Sequence, residues 1–274
     1  MNPCRRSLTC RMVALILLGA GFVLLLVVGV SYTSQRRRVV NDAVDHGAML
    51  THAVVQRIEA SFGRAESIVQ QNALFLGDGQ INRRETAELI RRTLEAHPSL
   101  FGMAVALSKQ EAEKNDFNIL YGWQHEGAVA VDNRPAPEED YRHDWYRLPS
   151  EKQAPVWIEP YFDEQADAAM VTYSVPVVRD GTTIAVVTCD LSLDGIRSMI
   201  DALALEGGGF AVLLSGKGTF ISHPQDELEI VETVFSLADA QNDHASAETL
   251  RHLGRSLLSG KPGWLRYQRP FGKE

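Results

Sequence analysis

Between residues 144 and 193 the sequence concentrates aromatic side chains close to carboxylates. The carboxylates are Asp163 and Asp190, and six aromatic residues share this stretch with them: Trp145, Tyr146, Trp157, Tyr161, Phe162 and Tyr173. Ring faces and carboxylates both attract positive charge, so the pattern suits a site for a small cation. The alternative is that these aromatic residues form an ordinary hydrophobic core, the usual place of Trp and Tyr on strands.

No catalytic or metal-binding motif accompanies this stretch. Neither HExxH, nor GxSxG, nor a pair of CxxC motifs occurs, so zinc enzymes and serine hydrolases have no motif in their favour. The eight histidines show no metal-ligand spacing. We therefore predict no catalytic residues, no metal site and no cofactor.

Two strands are predicted to position the distal carboxylate, Asp190. Residues 169–178 and 182–191 read as strands, and Asp180-Gly181 between them is a hairpin signal. On the second strand, Asp190 ends a face that is otherwise mostly apolar, because side chains alternate between the two faces. Such a carboxylate either points into a pocket or caps the next helix, which we predict over residues 193–205.

Near the N-terminus, residues 12–32 predict a transmembrane helix. The run is long enough to cross a bilayer and is flanked by three arginines on each side. A cleaved signal peptide is the alternative, but no small-x-small cleavage site follows the apolar run. We expect residues 1–11 in the cytoplasm, because the long remainder is acidic whereas these residues carry only basic charge.

The charge and the cysteines exclude two classes of protein. After residue 40 the chain carries 21 Lys and Arg against 35 Asp and Glu, a net charge of −14. So acidic a body is a poor partner for nucleic acid, whose phosphates require basic surface. Cys189 is the one cysteine after the apolar run, so no internal disulfide framework is expected there.

The remaining patterns predict an α+β fold with two modules behind a long helix. Residues 33–77 show an apolar stripe at spacings of four and three, typical of a helix that pairs in a coiled coil or lies along a domain. A first module is predicted over residues 78–205 and a smaller one over 206–274. Because the last predicted strand, 263–269, has no closing partner, we expect the second module to be truncated.

Four segments in this order resemble the double Cache (PDC-type) extracytoplasmic sensor domains of bacterial receptors: DWYRLP, WIEPYFDE, TYSVP and DLSL. The sequence is similar to the sensor regions of SpoIIE-type phosphatases, histidine kinases and chemoreceptors. The resemblance implies two PAS-like antiparallel-sheet modules, the second incomplete here, with the ligand bound by the first. We expect the protein in the bacterial inner membrane, with most of the chain in the periplasm, and as a homodimer, because the helical stripe of residues 33–77 can make dimer contacts.

The same resemblance implies a site for an amine. Family members that bind amino acids carry an arginine two residues before a tryptophan, then Trp-Tyr, Tyr-x-Asp and a distal Asp. Matching positions here would let Tyr161, Asp163 and Asp190 hold the ligand ammonium, while Trp145 and Tyr146 form the wall.

The chain departs from the family pattern where the ligand carboxylate would be clamped. His143 replaces the arginine, and Arg142 lies one residue earlier. Histidine cannot reproduce the bidentate pair of arginine with a carboxylate. Glu138 stands where the family has a further tyrosine, and Tyr173 completes the set of candidate ligand-binding residues.

We therefore expect a ligand-sensing domain for a small amine or amino-acid-like solute, not an enzyme. The first alternative is a membrane-anchored dimerisation or interaction module without a small ligand. An extracytoplasmic enzyme is the third hypothesis.

Overall fold

The computed structural model describes residues 8–125, 127–135, 140–164, 166–201 and 210–261, and the structural statements below refer to these residues. Several sequence-based predictions lie outside them: most of the cytoplasmic N-terminus, Glu138, the end of the helix predicted to reach residue 205, and the strand 263–269.

Helix α1 (Leu8–Asp78) contains the apolar segment predicted to cross the membrane. Within it, Leu15–Gln35 is long and apolar enough to span a bilayer, and none of its most apolar window is buried. Residues up to His52 form a unit of their own.

From Ala53 onward, α1 belongs to the second unit and contributes to its core. Ala65, Val69, Ala73 and Leu76 are buried at successive helical turns. Their spacing is that of one helical face, as the apolar stripe predicts. This part of the stripe therefore lies along the domain.

The domain is built on one antiparallel sheet in the order β3-β2-β1-β7-β6-β4, with β5 also paired to β6. Its strands are β1 (Gly102–Leu107), β2 (Ile119–His125), β3 (Ala128–Arg134), β4 (Val156–Trp157), β5 (Tyr161–Asp163), β6 (Ala168–Arg179) and β7 (Thr182–Ser192). The predicted hairpin is present: Asp180 and Gly181 both have positive φ, as a two-residue type I′ turn requires.

The two faces of the sheet pack against different helices. On one face, Met103 and Val105 join the main core with α1 and with α2 (Arg83–Ala96), whose N-terminus is capped by Asn82. On the other face, Ala104 and Ala106 belong to a smaller cluster with residues of α4 (Asp144–Lys152). A short helix α3 (Lys109–Ala112) follows β1. The candidate site lies on the face with the smaller cluster.

After β7 the chain forms α5 (Leu193–Asp201) and then a smaller group of elements. These are the strands β8 (Leu213–Leu214) and β9 (Phe220–Ser222) and the helices α6 (Val234–Asp239) and α7 (His244–Leu258). Arg197 on α5 forms an ion pair with the buried Glu229, which joins this group to the first module. Helices mixed with an antiparallel sheet confirm the predicted α+β class.

Candidate functional site

A cavity of about 730 Å³ opens on the sheet face opposite α1. Its floor is formed by side chains of β1, β2, β6 and β7. One wall is the segment 140–145, a 3-10 turn followed by the start of α4, and the facing wall is the segment 158–164. The cavity thus gathers residues from six strands and a helix that are far apart in the sequence.

Asp190 lies on the cavity floor and is only 3% exposed. The alternation of β7 places Asp190 and Thr188 on the cavity side, whereas Cys189 and Leu191 join the main core. The helix that follows is capped by Ser192, whose Oγ accepts a hydrogen bond from the Asp194 backbone. Of the two predicted roles for Asp190, the structure therefore supports the pocket.

Two hydroxyl groups form a chain that ends on this carboxylate. Thr172, on β6, donates from Oγ1 to Oδ1 of Asp190 over 2.7 Å. The hydroxyl of Tyr161 lies 3.0 Å from the same Thr172 oxygen. Because Thr172 has one hydroxyl hydrogen and gives it to Asp190, Tyr161 must donate to Thr172. The Tyr161 oxygen then keeps acceptor capacity for a ligand.

The other oxygen of Asp190 is crowded by the strand β1. A Cβ on Gly102 would approach Oδ2 of Asp190 to 2.8 Å and would also collide with the hydroxyl of Tyr121. Tyr121 is 5% exposed, and its hydroxyl makes no regular hydrogen bond within the described part of the chain. Glycine at residue 102 thus leaves room for a carboxylate and a phenol side by side.

Burial controls the protonation of the Asp190 carboxylate. Removal from water raises the pKa of Asp190 to about 6, and the nearby Asp163 charge adds to the rise. The hydroxyls of Thr172 and Tyr121 and the guanidinium of Arg134 act in the opposite direction. Asp190 therefore titrates close to neutral pH.

Tyr161 and Asp163 are placed together by β5, which pairs with β6. Residues two apart on a strand share a face, so both line the cavity. Burial raises the pKa of Tyr161, and the charge of Asp190 raises it further. Asp163 accepts a hydrogen bond from the Ala166 backbone over 2.8 Å, which orients its carboxylate.

Trp145 and Tyr146 are neighbours on α4, but their side chains have different surroundings. Trp145 lines the cavity, whereas Tyr146 is buried beneath it and packs edge-on against the Trp145 and Tyr141 rings. Burial raises the pKa of Tyr146 to about 12. Tyr146 therefore supports the wall without lining the cavity.

Arg142 and His143 stand at the exposed rim of the cavity. Arg142 ends the 3-10 turn, and His143 is the residue before α4, where its side chain makes no capping hydrogen bond. Both predicted positions thus border the cavity.

Tyr173 lies on the opposite face of the sheet. Its hydroxyl accepts a hydrogen bond from Gln70 of α1 over 2.8 Å, and its ring packs 4.9 Å from the Trp157 ring. The reason is the two-residue period of β6: Thr172 faces the cavity, so Tyr173 faces α1. The structure therefore separates Tyr173 from the other candidate residues.

The cavity residues that were not anticipated from the sequence include Tyr121, Arg134, Glu159 and Thr172. The Arg134 guanidinium lies 3.9 Å from the centroid of the Tyr121 ring, a cation–π contact. Alternation along β2 could have indicated Tyr121, which shares a face with the cavity residue Ile119. Within the described residues no group of three or more His, Cys, Asp or Glu side chains is arranged to hold a metal ion.

Comparison with known proteins now assigns the domain. Residues 86–198 match the family model "Methyl-accepting chemotaxis protein-like, first PDC sensor domain". These residues form a PDC sensor domain. They include the sheet and every cavity residue described above.

Two curated relatives are chemoreceptors. The chain is 28% identical over 117 residues to the methyl-accepting chemotaxis protein PscA of Pseudomonas syringae pv. tomato, with 42% of this chain and 19% of the relative aligned. It is 29% identical over 162 residues to PctB of Pseudomonas aeruginosa, with 57% and 26% aligned. The chain thus spans about a quarter or less of the length of these relatives.

Solved structures show the same fold. "Methyl-accepting Chemotaxis protein X" aligns with a TM-score of 0.65 at 21% identity, over 78% of this chain and 84% of that one. The ligand-binding domain of PctB of Pseudomonas aeruginosa, in complex with L-Gln, gives 0.54 at 18% identity over 70% and 72%. That of PctC from the same organism, in complex with GABA, gives 0.54 at 16% identity over 71% and 80%.

These matches confirm the predicted resemblance and its fold. Together with the candidate span at Leu15–Gln35, the PDC sensor domain supports a membrane-anchored receptor with an extracytoplasmic sensor. In the matching family model this region is a sensor domain. The predicted boundary between the modules, at residues 205 and 206, stays a prediction.

Proposed function

We propose that this PDC sensor domain binds a small amine or amino-acid-like solute and holds its ammonium group with Tyr161, Asp163 and Asp190. The observation that carries the proposal is the buried carboxylate of Asp190 on the floor of an open cavity. No arginine or lysine among the described residues forms an ion pair with it.

A buried carboxylate favours a cation for an energetic reason. Removal from water disfavours its charged form, and only neutral Thr172 donates to it through a regular hydrogen bond. A ligand ammonium would supply both the opposite charge and charge-assisted hydrogen bonds. Such bonds contribute about 1.5–3 kcal/mol each.

The acceptors around Asp190 suit the three N–H groups of a primary ammonium. Asp163 and Asp190 offer carboxylate oxygens, and the Tyr161 oxygen accepts because its own hydrogen goes to Thr172. The Trp145 ring lines the same cavity and adds a surface that attracts cations. This constellation supports the amine end of the proposed ligand.

The other end of an amino-acid-like ligand would carry a carboxylate. The relatives PctB and PctC are described in complex with L-Gln and GABA, which each carry an amino and a carboxylate group. In this chain Arg134 and Arg142 line the cavity and could take the carboxylate in place of the arginine that His143 replaces.

Isothermal titration calorimetry of the full chain in detergent, with a panel of amines and amino acids, tests the proposal. We expect Asp190→Asn to weaken the binding of an amine by about tenfold to a hundredfold, because a charge-assisted hydrogen bond is lost. Asp180→Asn is the matched control, since Asp180 lies exposed in the hairpin turn at the far end of β7. Equal affinities for both variants would contradict the proposal.

The second candidate function is a membrane-anchored dimerisation module without a ligand. Leu74 and Phe75 of α1 favour it, because they are 71% and 65% exposed and suit a protein partner. If substitutions at Tyr161 and Asp163 change the melting temperature but no solute shifts it, this second function is supported. A homodimer is compatible with both functions.

A further inference from the structure

The ion pair that attaches the smaller group of elements to the first module is largely withdrawn from solvent. Glu229 is 5% exposed, and its Oε2 pairs with the guanidinium of Arg197 on α5. Its other oxygen, Oε1, accepts a hydrogen bond from the backbone N–H of His223 over 2.8 Å. Glu229 therefore ties the loop 223–230, which follows β9, both to itself and to α5.

Arg197 is less completely satisfied than its partner. Its Nη1 donates to the exposed Asp194 over 2.7 Å, within α5. Its buried Nε makes no hydrogen bond in the part of the chain that the structure describes. Removing a donor from water without giving it an acceptor costs free energy. The contact therefore carries a cost on the side of the first module.

The backbone carries a second cost directly beside Glu229. Ile230 has a φ of +56°, in the left-handed region, where a β-branched residue is an outlier because its Cβ crowds the backbone. Its N–H donates to the carbonyl of Phe220 on β9 over 2.8 Å, and its side chain packs against the main core. Residues strained in this way persist only where their surroundings fix them, and they cluster at switch regions.

The ion pair is also connected to the candidate site by a short path through the chain. Asp190 lies on the cavity floor near the end of β7, and α5 follows β7 directly. Leu193 and Ile196 bury α5 in the main core, and Arg197 is the next residue. A shift at the end of β7 would therefore reach the ion pair through one short helix.

We propose that the Arg197–Glu229 pair is a latch between the two parts of the domain. In the structure the latch is closed and holds the loop 223–230 against α5. When it opens, the pair separates, the loop leaves α5 and Ile230 leaves its positive-φ conformation, while the sheet of the first module stays folded. Opening releases both costs of the closed state, which makes the open state accessible. The latch does not depend on which solute the cavity binds.

Hydrogen–deuterium exchange of the full chain in detergent, measured by mass spectrometry, tests the latch. Glu229→Gln keeps an acceptor for the His223 N–H but removes the negative charge. We expect exchange in the segment 220–234 to become at least about tenfold faster, because a charge-assisted contact is lost. Exchange in β1 and β7 should stay within about twofold. Asp194→Asn is the control, since it removes the exposed partner of the same arginine and should change neither region.

A double variant separates the ion pair from general packing. Arg197→Gln leaves the buried Glu229 charge without its partner, so it should accelerate exchange in the segment 220–234 more than Glu229→Gln does. With both substitutions the charges are gone, and exchange should be slower than in Arg197→Gln alone. Unchanged exchange in Glu229→Gln, or effects that add in the double variant, would overturn the latch. Equal acceleration in β1 and β7 would also overturn it, because the pair would then hold the whole fold.

Discussion

The protonation of Asp190 makes amine binding depend on pH. Its pKa is raised to about 6 by burial, from an ordinary value of about 3.9. A ligand ammonium binds the ionised carboxylate, so it competes with the proton for Asp190. At about pH 5 roughly one Asp190 in eleven is ionised, whereas at about pH 7.5 nearly all are. We therefore expect butylamine, a simple primary amine, to bind about tenfold more weakly at the lower pH.

Protonation of Asp190 also changes the stability of the ligand-free protein, and the direction of the change follows from the pKa shift. Because the pKa of Asp190 is higher in the folded than in the unfolded state, the folded protein binds more protons between about pH 4 and pH 6. The free energy of unfolding therefore falls as pH rises through this window. A shift of about two pKa units corresponds to roughly 3 kcal/mol.

Titration calorimetry with butylamine between about pH 5 and pH 7.5, with Asp190→Asn as the reference, measures the effect of pH on binding. Tyr121, Arg134, Tyr161 and Asp163 also surround the carboxylate, and they remain in the variant. Whatever pH dependence the variant keeps belongs to these groups. Wild-type affinity that is constant between about pH 5 and pH 7.5, or an unchanged profile in the variant, would refute the reasoning.

Two further predictions use pairs of similar residues on opposite faces of the sheet. Gly102→Ala and Gly122→Ala should each lower the free energy of unfolding by about 1–3 kcal/mol in denaturant titrations, because each Cβ would collide with neighbours. Only Gly102→Ala should also weaken butylamine binding at least tenfold, and equal affinities would contradict this. Tyr161→Phe should weaken butylamine about fivefold to tenfold in calorimetry. Tyr173→Phe should lower stability by about 1 kcal/mol and change affinity less than twofold; the reverse pattern would place the site on the other face.

Period-two alternation and turn chemistry account for what could be predicted from the sequence. The hairpin at Asp180-Gly181 follows from residues that tolerate positive φ, and the cavity-facing position of Asp190 follows from alternation. Both predictions depend only on residues that are close together in the sequence. The same alternation misleads at Tyr173, because β6 is buried on both faces and its pattern does not tell which one faces the cavity.

The residues that were missed depend on contacts between distant segments. Tyr121 meets Asp190 because β1 lies between β2 and β7, with Gly102 opposite Asp190. Strand order and register of this kind cannot be read from one sequence. Glu159 lies in a connection between two short strands, where no periodicity assigns a direction to the side chain.

The wall that carries Glu159 is also tied to α1. Trp157, two residues earlier, donates from Nε1 to Glu66 of α1 over 2.7 Å, and its ring lies 4.4 Å from that of Phe62. The segment 156–163 therefore contacts α1 on one face of the sheet and lines the cavity on the other. A ligand can shift a conformational equilibrium only by its differential contacts with the two states. For a ligand-dependent movement of this wall, Trp157 is one contact through which α1 would be affected.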